Sequence, residues 1–151
     1  MKVRRVGATG DSGYSVLLVD DSDDDLEFLR LAIGESTESE LSLSDASDGF
    51  DALSRMRDMC TCGERPDLAI VDLKMPRLDG RGFLRAVRED ETFSTMPVLI
   101  LSTSIADSDV AGCYADGCNA FLQKPLEYRE LVDLMRDVSR HWLGHVYLPP
   151  R

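Results

Sequence analysis

The chain of 151 residues fits one domain of ordinary size, and with 43% hydrophobic and 30% charged residues its composition is that of a globular protein, not a disordered or membrane-spanning one. A formal net charge of −11 argues against nucleic acid or an anionic membrane surface as the main partner, because both require clustered Lys and Arg. No apolar run approaches the roughly 20 residues that span a bilayer, so the expectations are a cytoplasmic location, no membrane insertion and no separate output domain.

Residues 1–13 carry Arg4 and Arg5 among Gly7, Gly10 and Gly13 and lack the apolar stretch of a secretory signal, which predicts a mobile arm. Val16-Leu17-Leu18-Val19 then reads as a buried strand. Ser22 or Asp23 caps a helix whose first turn is acidic, whose buried face carries Leu26, Leu29 and Ile33, and which Gly34 is expected to stop. Leu41-Ser42-Leu43 alternates as an edge strand does, and a helix is expected from Gly49 to Met59. Leu68-Ala69-Ile70-Val71 and Val98-Leu99-Ile100-Leu101 are further buried strands, and Ala120-Phe121-Leu122 is a shorter fifth. Helices are expected at Gly80 to Glu89, Ser108 to Ala115 and Tyr128 to Trp142. Strand and helix alternate five times, which predicts an α/β fold with a doubly wound, five-stranded parallel sheet, five helices and right-handed crossovers. In such folds ligands sit beyond the carboxyl ends of the strands.

Asp20 and Asp21 follow the first strand directly and Asp72 follows the third, so three carboxylates converge at that edge. Close anions repel unless a cation offsets them, and an all-oxygen set with room for water suits Mg²⁺. Asp23, Asp24 and Asp25 are assigned to capping and to the helix dipole. Ser102-Thr103-Ser104 follows the fourth strand and Lys124-Pro125 the fifth, adding a hydroxyl and a fixed cation. A metal, an ammonium and a hydroxyl around one carboxylate are what stabilises charge on a transferring phosphoryl group.

Asp20-Asp21, Asp72 within Val71-Asp72-Leu73-Lys74-Met75-Pro76-Arg77-Leu78-Asp79-Gly80, then Ser102 and Lys124-Pro125, together resemble the response regulator receiver family from about Tyr14 to Trp142. The resemblance implies a receiver domain over 14–143 with flavodoxin-like strand order 2-1-3-4-5, and a switch rather than an enzyme. It implies Asp72 as the phosphoacceptor, and Mg²⁺ held by Asp20, Asp21, Asp72 and the main-chain carbonyl of Lys74. Ser102 and Lys124 would contact the phosphoryl oxygens, and a sensor histidine kinase would be the donor. Ser102 lies 22 residues before Lys124 and is favoured as the switch hydroxyl, with Thr103 as the alternative. The switch aromatic falls on Phe121, which has no hydroxyl to donate. Lys74 and Ser104 are expected to flank the mouth of the site and tune hydrolysis of the phosphate.

The long spacing between Asp21 and Asp72, with Cys60-Thr61-Cys62-Gly63-Glu64 inside it, and the ending His141-Trp142-Leu143-Gly144-His145-Val146-Tyr147-Leu148-Pro149 resemble the phytochrome-associated, single-domain regulators. That likeness implies a phytochrome-type kinase and a homodimer. Trp142, Val146, Tyr147 and Leu148 are expected to bury in a second protomer, the alternative being that they pack on their own domain, with 144–151 as a tail at the contact.

Two other classes stand beside this reading. Mg²⁺-dependent phosphatases of the haloacid dehalogenase type also place an aspartate nucleophile after a parallel strand, but their Asp-x-Asp-x-Thr is missing at Asp20 and at Asp72. A receiver-like module that docks partners without phosphorylation would not need the intact acids, hydroxyl and lysine. Cys60, Cys62, Cys113 and Cys118 are spaced as Cys-x-Cys and Cys-x₄-Cys, which reads as reduced, unpaired thiols rather than a zinc site. His141 and His145, four apart with Gly144 between, are read as tail residues rather than metal ligands.

Overall fold

The computed structural model describes residues 13–38 and 40–150, so the predicted arm, apart from Gly13, lies outside the described residues. The elements run β1 (Tyr14–Val19), α1 (Asp23–Ser36), β2 (Leu41–Ala46), α2 (Gly49–Thr61), β3 (Leu68–Asp72), α3 (Gly80–Glu89), β4 (Val98–Ser102), α4 (Asp107–Ala115), β5 (Ala120–Gln123) and α5 (Tyr128–Arg140). All strand pairs are parallel and the sheet order is β2-β1-β3-β4-β5, as the family resemblance implied.

The central strands are apolar on consecutive residues because helices cover both faces. On one face Val16, Leu18, Ile70, Leu99 and Leu101 meet Leu29 and Ile33 of α1 and Val132, Met135 and Val138 of α5. On the other, Leu17, Val19, Ala69, Val71, Val98 and Ile100 meet Met56 of α2 and Phe83, Leu84 and Val87 of α3. Each large side chain fully buried in this way contributes about 1.5–3 kcal/mol.

Several element ends differ from expectation. Ser22 is the N-cap of α1, its hydroxyl accepting from the Asp25 amide at 3.2 Å. Gly34 does not stop that helix, which runs on to Ser36: a glycine ends a helix by taking a left-handed conformation, and among the described residues the glycines with positive φ are Gly63 and Gly117. The predicted α5 ends as an α-helix at Arg140 and continues as a π-helical turn, His141–His145, closed by the Val146 amide donating to the His141 carbonyl at 2.9 Å.

The expectation for the tail is corrected in part. Leu148 is only 1% exposed and joins Leu143 in the α1/α5 core of its own domain, with Trp142 and Val146 packed against it. Arg65 fastens the segment by donating to the carbonyls of Pro150 at 2.8 Å and Thr92 at 2.7 Å. Of the four residues expected to enter a second protomer, Tyr147 is the one left exposed. Leu148→Ala is expected to destabilise the domain by about 3 kcal/mol, as buried Leu→Ala changes do. An unchanged urea midpoint would mean that the tail is not held.

The amino edge of the sheet is fastened by Arg88 at the end of α3. Its guanidinium donates to the carbonyls of Gly117, Ser94 and Met96 at 2.7–3.0 Å and to Asn119 Oδ1 at 2.9 Å, and the same Asn119 oxygen accepts from the Val98 amide. At the same edge the Asp67 carboxylate accepts from the Ser15 amide at 2.9 Å.

Candidate functional site

The carboxyl edge gathers charge. Val19 and Val71 are register partners, so the residues that follow them, Asp20 and Asp72, emerge side by side. Asp20, Asp21 and Asp72 each present a carboxylate oxygen, all within 4.8 Å of one another. Among the described residues they are the group of His, Cys, Asp or Glu placed to hold a metal ion. Asp20 is 4% exposed and accepts from the Ser22 amide at 3.0 Å. Gly80 lets α3 start against the end of β3, for a Cβ there would lie 2.5 Å from the Asp72 carbonyl oxygen.

Lys124 reaches the cluster from the end of β5, where its amide donates to the Ser102 carbonyl at 2.7 Å. Its ammonium lies 2.8 Å from Asp20, 3.2 Å from Asp25 and 3.7 Å from Asp72. Asp25 therefore does more than open α1, which corrects the assignment of Asp23 to Asp25 to capping alone. Beside this group a cleft of about 210 Å³ opens between Phe28 of α1 and Leu126 and Tyr128 at the start of α5.

The electrostatics follow from burial and crowding. Burial pushes the Asp72 carboxyl from the ordinary 3.8 up to about 6, the charges of Asp20 and Asp21 push the same way, and Lys124 and the Leu73 amide oppose them. Burial also raises Asp20, against its bonds to Lys124 and Ser22. Burial works against the charge of Lys124, yet Asp20, Asp72 and Asp25 together hold its pKa above the ordinary lysine range. One ammonium pairs with three carboxylates and Asp21 adds a fourth negative charge beside them, an imbalance that a second cation would offset. The oxygen-only donor set of Asp20, Asp21 and Asp72 fits Mg²⁺.

Ser102 ends β4 at 1% exposure, with its hydroxyl oxygen accepting from the Ser104 amide at 3.1 Å, whereas Thr103 is exposed. Phe121 is half-buried and packs against the α2/α3 core, and its amide donates to the Tyr114 hydroxyl at 3.2 Å. Lys74 and Ser104 meet on a residue that sequence reasoning passed over. Asp109, in the first turn of α4, accepts from the Ser104 hydroxyl at 2.8 Å and from the Lys74 ammonium at 3.4 Å. The Ser104 bond, with Lys74 beside it, holds the Asp109 carboxyl below the usual range.

The remaining candidates stay outside the site. All four cysteines are free thiols, Cys113 and Cys118 buried and Cys62 exposed, and burial pushes Cys118 up to about 11. His141 and His145 sit exposed on the π-helical turn.

Residues 16–136 match the response regulator receiver domain. The chain belongs to the response regulator receiver family. Within that family it is 30% identical over 140 residues to the response regulator Rcp1 of Synechocystis sp., covering 89% of this chain and 92% of that one. The crystal structure of a phosphorylated cyanobacterial phytochrome response regulator, RcpA, superposes with a TM-score of 0.85 at 27% identity, covering 92% of this chain and 100% of that one. A response regulator in red light signalling of R. palustris, RPA3017, gives 0.82 at 30% identity, with 91% and 99% covered. Rcp1 has been solved in a Mn²⁺-bound form, with a TM-score of 0.80 at 27% identity and 91% and 99% covered. The match to two other curated relatives, FilR2 of Methanothrix harundinacea and Rre1 of Synechocystis sp., spans about half of each of those proteins.

Proposed function

We propose that this receiver is a single-domain response regulator that takes a phosphoryl group onto Asp72 from a phytochrome-type histidine kinase and works as a homodimer. The observation that carries the reading is the Asp72 carboxylate, partly desolvated between Lys124 and the Asp20–Asp21 pair at the sheet edge. A carboxylate so placed is a nucleophile aimed at an electrophile whose charge its neighbours are arranged to accept.

The Asp72 oxygen attacks phosphorus of the donor's phosphohistidine, the phosphorus–nitrogen bond breaks, and its electron pair stays on the imidazole nitrogen, which takes a proton from water. Lys124 lies near enough to Asp72 to neutralise charge on the transferring oxygens. Mg²⁺, held by Asp20, Asp21, Asp72 and the main-chain carbonyl of Lys74, supplies further neutralisation there when bound. The Ser102 hydroxyl then turns to the acyl phosphate and Phe121 fills the space it leaves, altering the α4–β5–α5 surface that partners read. The ring carries this coupling by packing, since it has no hydroxyl. In this reading the chain catalyses only its own phosphorylation and slow dephosphorylation.

The relatives support the finer parts, because RcpA is described as a phytochrome response regulator and RPA3017 as acting in red light signalling. The homodimer rests on that likeness and on exposed Tyr147. The test is intact mass after incubation with a small acyl phosphate. A gain of one phosphoryl group that needs Mg²⁺ and maps to Asp72 is expected, as is transfer from a phytochrome-type kinase. No gain with the protein folded would leave an interaction module, and rapid turnover of phosphate monoesters would favour a phosphatase.

A further inference from the structure

The switch hydroxyl is engaged elsewhere in this structure. Ser102 Oγ accepts from the Ser104 amide at 3.1 Å, and Ser104 is held in turn, since its own hydroxyl donates to Asp109 at 2.8 Å. The other Asp109 oxygen takes the Lys74 ammonium at 3.4 Å. One carboxylate on α4 thus ties the loop after β4 to the loop after β3, the two loops that border Asp72. Lys74 is 67% exposed along its side chain and adds little, so the strength of the tie lies in the Ser104 bond, where a neutral donor meets a charged acceptor about one-fifth exposed.

We propose that Asp109 is a positioning residue that latches the loop after β4 in the resting state and so opposes the turn of Ser102 toward a phosphoryl group. The proposal rests on the function argued above, because it presupposes that Ser102 serves Asp72. The turn costs the hydroxyl its bond to the Ser104 amide, and in the turned state proposed here the loop moves with it, so that the Ser104–Asp109 bond is broken. A ligand that favours the turned state has to break that bond, so its apparent affinity is lowered by the bond's net strength. Neither Asp109 nor Ser104 touches the reacting atoms, and removing the tie favours the turned state.

The test is titration of the full chain with beryllofluoride and Mg²⁺, a stable mimic of the phosphoryl group, followed by NMR of the backbone amides of α4 and β5. Asp109→Ala and Ser104→Ala are each expected to tighten the apparent affinity about 10-fold, the lower end of the scale of one hydrogen bond to a charged group. The double variant should gain no more than either single one, because both changes cut the same tie. Asp109→Glu should fall back toward the wild type if its carboxylate regains Ser104. A merely structural role predicts the opposite sign, with destabilised variants binding no more tightly. Unchanged or weaker binding in the single variants, or gains that add in the double variant, would overturn the latch while leaving Asp72 chemistry intact. A wild type that does not respond at all would remove the phosphoacceptor reading and the latch with it.

Discussion

Asp72→Asn is expected to abolish the Mg²⁺-dependent gain of a phosphoryl group outright and, in the same protein, to raise stability at neutral pH. The first effect follows because an amide is not a competent nucleophile here. The second follows from the raised pKa. Between the ordinary value of 3.8 and the folded value of about 6, the folded protein binds more protons at this group than the unfolded chain does. Stability therefore falls as pH rises through that window, by up to about 3 kcal/mol by linkage, and stays reduced above it. Asparagine carries no such slope. Without divalent cations the variant should be about 2 kcal/mol more stable than the wild type at pH 7.5 and equal to it below about pH 4, measured by urea denaturation at both values. Saturating Mg²⁺ should narrow the gap by favouring the charged wild type. Equal stability at both pH values in the absence of metal would mean that the carboxylate is not strained by its surroundings.

Lys124→Met keeps the length of the side chain and removes its charge. The ammonium is the cation closest to Asp20, Asp25 and Asp72, so its loss leaves the nearly buried Asp20 uncompensated. Removing one partner of such a pair costs several kcal/mol in a dry interior, and about 2 kcal/mol is expected here, where the cluster borders solvent. The deficit should shrink on acidification as the carboxylates take up protons, the opposite of a simple packing defect. Phosphoryl transfer from a small donor should slow roughly 10²-fold, the usual effect of deleting one charge-stabilising donor from a reacting centre. A variant that transfers at the wild-type rate would show that Lys124 serves only to hold the resting cluster together.

The central strands were legible because a parallel sheet covered on both faces writes itself as uninterrupted apolar runs, and Val16 to Val19, Leu68 to Val71 and Val98 to Leu101 are such runs, whereas the strand order came from the family resemblance alone. The convergence of Asp20, Asp21, Asp72 and Lys124 was legible for a related reason: residues that directly follow the strands of one parallel sheet must emerge at one edge. Asp25 was not. Three consecutive acids at a helix start look alike until packing fixes which face turns toward β5, and only then does one of them meet Lys124. Asp109 was hidden by distance, since it meets Lys74 across 35 residues through the docking of α4, and nothing local marks it. The apolar tail was ambiguous in principle, because Leu148 and Trp142 signal that they will be covered without indicating whose surface covers them.

The two rims of the sheet are built to opposite ends. Along the amino rim a single guanidinium, Arg88, draws together the loops around Ser94, Met96 and Gly117, and Asp67 pins the start of β1. Along the carboxyl rim Asp20, Asp25 and Asp72 crowd one ammonium, and the loop after β4 is tied across by Asp109. The sheet is therefore a cantilever, clamped where no chemistry happens and held by charge and a single latch where it does. A load placed at the tip, such as a phosphoryl group, is expected to move the near loops and to leave the root where it was.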